Sequence, residues 1–178
     1  MSFSKKPKLA FVSPLPPERT GIADYSAELL PSLSEHYDID VIVVQNTVSD
    51  KWTSNNCKIK DVAWLENNAN HYDRVLYQVG NSPFHHHMIA LMENIPGTVV
   101  LHDFYLSGLI SWQQQHAGLT YAWDEQLYYC HGYKALKSRY SDSEICKKTY
   151  PVNFQIFQYA TGVITHSLHS KMLAKNWY

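Results

Sequence analysis

Four short segments carry side chains able to bind or activate a ligand: Arg19-Thr20-Gly21, Gly80-Asn81 running into His85-His86-His87, His102-Asp103, and His166-Ser167. The pair His102-Asp103 is the sharpest. A neutral imidazole donates to a sugar hydroxyl or accepts its proton, and a neighbouring carboxylate orients the ring or binds a hydroxyl itself. The competing explanation is a capping aspartate beside a histidine bonded to backbone; the functional reading is preferred. Gly21 at a helix start permits close approach of a phosphate to free N–H groups and the helix dipole, balanced against a glycine that only serves a tight turn. Arg19 beside it reads as a solvated loop arginine unless an anion binds there. Gly80-Asn81 supplies a turn and an amide able to bind a hydroxyl, although both are also ordinary turn residues.

Other chemistries lack their patterns. On a helix the consecutive rings of His85-His86-His87 diverge by about 100° and cannot converge on one ion, and no HExxH spacing is present. No metal is expected, and the triplet reads as polar residues at a helix start, one of them facing a cleft. Neither the GxGxxG of a nicotinamide-dependent oxidoreductase, nor GxxxxGK, nor the GxSxG of a serine hydrolase occurs. Asp24 and Glu28 fall on the outer side of a helix, where solvation suffices.

The elements that must position these residues follow from hydropathy patterning. Apolar runs at residues 8–13, 39–44, 72–79, 97–101 and 162–165 read as buried parallel strands, with residues 58–62 as a short edge strand. Helical spacing of Ile22, Tyr25, Leu29, Leu30 and Leu33 behind Thr20 as N-cap predicts the first helix, with Pro31 kinking it or ending it early. Further helices fall around residues 63–69 and 84–94, and Ser167 caps a last one through Met172 and Leu173 towards Trp177. Residues 104–160 hold no strand; they read as a helical insertion before the last strand, broken near Gly118, Gly132, residues 141–143 and Pro151. The expectation is a single α/β domain over residues 1–178, a Rossmann-like three-layer sandwich with a mostly parallel central sheet. Ligands then belong beyond the carboxyl ends of the strands, which is where all four segments lie.

Composition narrows the class. Fifteen basic and sixteen acidic side chains give a net charge of -1, with no basic surplus for nucleic acid. The apolar run behind the basic opening stretch is too short and proline-broken for a signal peptide or a membrane span. Cys57, Cys130 and Cys146 lack the paired spacing of a zinc site or a CxxC motif, so a reduced, cytoplasmic protein is expected, with the inner membrane face compatible. Thirteen Tyr, five Trp and ten His suit sugar-binding surfaces, although aromatic residues more often fill cores.

In order and spacing, four segments resemble the N-terminal domain of group 1 (family 4) retaining glycosyltransferases of GT-B architecture. They are Phe11-Val12-Ser13-Pro14-Leu15-Pro16-Pro17 leading into Thr20-Gly21-Ile22-Ala23-Asp24-Tyr25, then Tyr77-Gln78-Val79-Gly80-Asn81, Val99-Val100-Leu101-His102-Asp103, and Gly162-Val163-Ile164-Thr165-His166-Ser167. The resemblance implies a hexosyl transfer with retention from a nucleotide diphosphate sugar to a glycan or glycolipid acceptor, without a metal or other cofactor. It implies a second, C-terminal domain holding most of the donor; that domain, with its EX7E carboxylate pair, is not among these residues, so the isolated domain is expected to be inactive. Gly21 would approach the donor phosphates and His102 the donor sugar hydroxyls. Acceptor contacts would come from residues 14–20, including Arg19 and Thr20, from Asn81 to His85, and from Tyr105 in the insertion. A membrane-associated acceptor is compatible with the family, although no amphipathic basic helix argues for it. The first loop carries one glycine where relatives often have two. The alternative is a stand-alone glycan- or nucleotide-binding module of the same fold, without catalysis.

Overall fold

Apolar runs bounded by charge become the central strands. The computed structural model describes residues 5–178; residues 1–4, where the basic opening stretch begins, lie outside the described residues. The strands are β1 (Lys8–Val12), β2 (Asp38–Val43), β3 (Lys58–Asp61), β4 (Arg74–Val79), β5 (Thr98–Leu101) and β6 (Gly162–Thr165). They form one all-parallel sheet in the order β3-β2-β1-β4-β5-β6. The chain therefore starts in the middle and winds outward in both directions, reversing between β1 and β4. Helices cover the sheet, giving the Rossmann-like α/β architecture expected.

The two faces are packed separately. On one, α1 (Gly21–Ser34) and α2 (Lys51–Asn56) enclose Leu9, Phe11, Leu15, Leu30, Ile39, Val41 and Val43. The other face is larger and is covered by α3 (Val62–Asn68), α4 (Met88–Asn94), the insertion and α9 (Leu168–Trp177). Its core includes Val12, Tyr77, Val79, Met92 and Leu101. Tyr77 is fully buried, and its hydroxyl donates to the Ile95 carbonyl at 2.7 Å, so the ring is buried without an unpaired polar tip.

Local signals set the helix ends. The Thr20 side chain accepts from the Ile22 N–H and Ser167 from the Ser170 N–H, as both caps were expected to do. Pro31 does not end α1 early. It lies in the final turn, where its missing N–H forfeits a single ladder bond, and the helix runs on to Ser34. The helix α2, capped by Asp50, forms from a polar stretch that carries no apolar periodicity and so gives no helical signal in the sequence. The histidine run opens with a short 3-10 turn, Pro83–His85, before α4 begins at Met88.

The insertion is wholly helical: α5 (Ser107–His116), α6 (Ala122–Ser141), α7 (Ser143–Thr149) and α8 (Phe154–Tyr159). Gly118 takes a positive φ of 70° between α5 and α6, and Gly132 breaks α6 with φ 71° and ψ -169°. Many of its tyrosines, among them Tyr128, Tyr129, Tyr133 and Tyr140, are exposed on α6. Its return is tied down at residues 150–153. There the Val152 N–H donates to His131 Nε2 at 3.1 Å, and Asn153 bridges the Phe104 carbonyl and the Tyr178 hydroxyl. Among the described residues no helix is long and apolar enough to cross a membrane, and all three cysteines are free.

Candidate functional site

The carboxyl edge of the sheet gathers the nominated segments into two groups. The first is a cleft of about 270 Å³ beyond β1, β2 and β4. Pro14 and Glu18 come from the loop after β1, Val44 and Gln45 from the end of β2, Phe84, His86 and His87 from the turn after β4, and Trp112 from α5. Its walls are fixed. Gln45 accepts from the Leu15 N–H at 3.1 Å and donates to the Leu15 carbonyl at 2.5 Å. The Gln113 amide donates to the His86 carbonyl at 2.7 Å, which ties α5 to the histidine run. Trp112 stacks on His116 and packs against His86, with ring centroids 5.3 Å apart in each case. Space and flat aromatic walls together suit a single ring-shaped group, being just under the ~300–1,000 Å³ typical of small-molecule pockets.

The second group stands at the ends of β5 and β6. Pairing of these strands sets Leu101 opposite Thr165, so the next residues along, His102 and His166, emerge side by side. His166 Nε2 lies 3.1 Å from His102 Nδ1, and His102 Nε2 donates to the Gln78 side-chain oxygen on β4 at 2.8 Å. The Tyr25 ring meets both imidazoles edge-on, at centroid distances of 5.0 and 5.4 Å. Burial, and then the neighbouring His166, push the His102 pKa down to about 4, so the ring is neutral near pH 7.

The nominated residues divide into those that brace loops and those that line the cleft. Asp103 is exposed, but one of its oxygens accepts the Asn81 N–H at 2.7 Å. Asn81 in turn accepts the Leu109 N–H at 2.8 Å through its side chain, in the first turn of α5. These two residues therefore brace the loops that follow β4 and β5. Gly80 makes that brace possible, since a Cβ there would press on Ile22 Cδ1 and stand 3.1 Å from both Asp103 Oδ2 and His85 Nε2. Of the run, it is His86 and His87 that line the cleft. His85 is fully buried, with no hydrogen-bond partner on either ring nitrogen, and burial lowers its pKa to about 4. Burial brings His87 to about 3. No group of three or more His, Cys, Asp or Glu able to hold a metal ion occurs among the described residues.

Gly21 and Arg19 are exposed. A Cβ on Gly21 would meet nothing within 4 Å and its φ is not left-handed, so the tight turn does not require glycine. Asp24 in the same first turn works against an anion. Thr20 is spent on its cap. Tyr105 is half-buried and packs edge-on against Phe104 rather than standing free.

No family model, curated protein or solved structure matches the chain. The resemblance to group 1 glycosyltransferases rests on the four sequence segments, and a Rossmann-like fold is common to many activities.

Gln78, Tyr25 and Trp112 contribute to the site without being among the residues that the sequence nominates. Gln78 is detectable as a polar residue in the buried half of a strand whose other polar residue, Arg74, lies at its exposed start, and burial demands a partner for it. Tyr25 sat in the core-facing set of the first helix; its ring lies over the histidines because it is one turn from the helix start, beyond the edge of the sheet. Neither Trp112 nor the pairing of His102 with His166 had a local signal.

Proposed function

We propose that this chain is the acceptor-side, N-terminal domain of a retaining glycosyltransferase, which moves a hexosyl group from a nucleotide diphosphate sugar to a glycan or glycolipid. The observation that carries the reading is the cleft at the carboxyl edge, assembled from the loop after β1, the turn after β4 and the first helix of the insertion. These are the three regions from which the resemblance draws its acceptor contacts. A pyranose laid against Trp112 and His86 would bury its C–H face on the rings, and Glu18 and Gln45 would meet its hydroxyls. Gly21 would leave room for donor phosphates at the start of α1, but Asp24 in the same turn opposes them, so a second domain would have to hold most of the nucleotide.

Catalysis in this scheme is positioning, plus stabilisation of charge on the departing diphosphate. His102 and Asp103 are both engaged within the protein, so they act here by shaping the site rather than as free acid and base. That same engagement favours the second reading, a glycan- or nucleotide-binding module without chemistry. An assay of the native gene product with UDP-glucose or GDP-mannose and an oligosaccharide mixture separates the two. The transferase reading expects release of nucleoside diphosphate together with a lengthened oligosaccharide, and an acceptor KM raised at least ~10-fold by Trp112→Ala, the loss of ~1.4 kcal/mol. Saturable oligosaccharide binding with no turnover of either donor would leave the binding module; neither binding nor turnover would remove both.

A further inference from the structure

The direction of each hydrogen bond in the Gln78, His102 and His166 chain follows from what a carboxamide oxygen can do. It only accepts, so His102 Nε2, 2.8 Å away, carries the ring proton and Nδ1 keeps a lone pair. His166 Nε2, 3.1 Å from that lone pair, must be the donor. A neutral imidazole holds one N–H, which leaves His166 Nδ1 as a bare acceptor on an exposed side chain. Gln78 is fully buried and anchored in β4, and Tyr25 closes on both rings edge-on, so the order is built into the sheet rather than into a mobile loop. His102 has no free nitrogen left for a ligand.

We propose that His166, not His102, is the histidine that meets ligand at this end of the sheet, accepting a hydrogen bond from a ligand hydroxyl through Nδ1, while Gln78 and His102 are positioning residues that fix its tautomer. The identity of the hydroxyl as one on a donor sugar rests on the glycosyltransferase reading; the tautomer order does not. An acceptor-only nitrogen selects O–H groups and refuses ionised phosphate oxygens, which are themselves acceptors. This end of the sheet is therefore matched to the sugar of a nucleotide sugar rather than to its diphosphate.

Long-range 15N–1H correlation spectra of the uniformly labelled chain at pH 7.5 test the order, with His102→Asn and His166→Asn used to assign the two rings. Both rings are expected as the Nε2–H tautomer; His166 found as Nδ1–H overturns the proposal. In Gln78→Leu the His102 ring should become a mixture of tautomers and His166 should follow it. A Gln78 that only fills space would lower the melting temperature without moving either tautomer, and that result also overturns it. Titration of the native gene product, labelled in the same way, with UDP-glucose and with GDP-mannose should then move the His166 Nδ1 signal. His166→Ala should weaken binding at least ~10-fold, and His166→Gln, whose carbonyl still accepts, should restore part of it. Movement of the His102 nitrogens alone would overturn the assignment of the contact. If neither nucleotide sugar moves any histidine signal while both tautomers are as expected, the hydroxyl contact fails together with the donor reading, and only the tautomer order survives.

Discussion

Two histidine groups sit at the same edge of the sheet and could hardly be built more differently. In His85-His86-His87 the rings are consecutive in sequence and disperse in space: His85 turns into the interior, while His86 and His87 face the cleft. His102 and His166 are 64 residues apart and hydrogen-bonded. Adjacency on one short helical turn spreads side chains around an axis, whereas adjacency of two parallel strands lines up whatever follows each of them. Proximity in the chain is thus a poor guide to proximity in the site, and strand order is a good one.

Acid gives the largest way to break this comparison. Burial depresses the pKa of His85, His102 and His131 to about 4 and of His87 to about 3. The unfolded chain takes up these protons near pH 6.5 and the folded chain does not, so stability is fully present above pH 6.5 and is lost as pH falls towards 4. For a ring as buried as His85 the loss is on the order of 2 kcal/mol at pH 5, and less for the half-buried rings. At ~2–4 °C per kcal/mol, circular dichroism melts should show Tm falling by roughly 10 °C between pH 7.5 and 5. Replacing His85 and His87 by Leu should flatten that slope more than replacing His102 and His166; the reverse would mean the pair, not the run, carries the buried load.

Gly80→Ala strikes both groups at once, since its methyl meets Ile22, Asp103 and His85. Overpacking of this kind costs ~1–3 kcal/mol, read as a lower urea midpoint. An unchanged midpoint would show that the brace between the loops gives way freely. Gln78→Leu is smaller, about 1 kcal/mol, because it unpairs one buried N–H on His102 while removing a Gln78 amide nitrogen that itself has no partner. Smallest of all is His85→Leu at pH 7.5. Taking away two unpartnered buried nitrogens for an apolar group of similar volume should leave stability within ~1 kcal/mol, or raise it. A large loss would mean that His85 is hydrogen-bonded in solution, through water or a shifted ring.

Much of the framework is readable residue by residue. The buried runs that become β1, β2, β4 and β5, the caps at Thr20 and Ser167, and the breaks at Gly118 and Gly132 depend on local hydropathy, on side-chain oxygens next to free N–H groups, and on glycine's access to positive φ. The carboxyl edge as the place for ligands follows as soon as strands and helices alternate. Local pattern therefore suffices for the class of fold and for bringing the nominated segments to one edge of the sheet.

The roles within the site were settled elsewhere. That Asp103 would brace the Asn81 turn, that His85 would face inward, and that His102 would have both nitrogens occupied depends on which strands are neighbours, and β4, β5 and β6 come together across crossovers of very different length. The last of these runs through the whole helical insertion. A hydrogen bond needs its partner within about 3 Å and correctly oriented, and no local pattern reports on a partner 22, 24 or 64 residues away. Which histidine keeps a free nitrogen is a property of the assembled sheet edge rather than of any single segment, because its neighbours arrive from three separate strands.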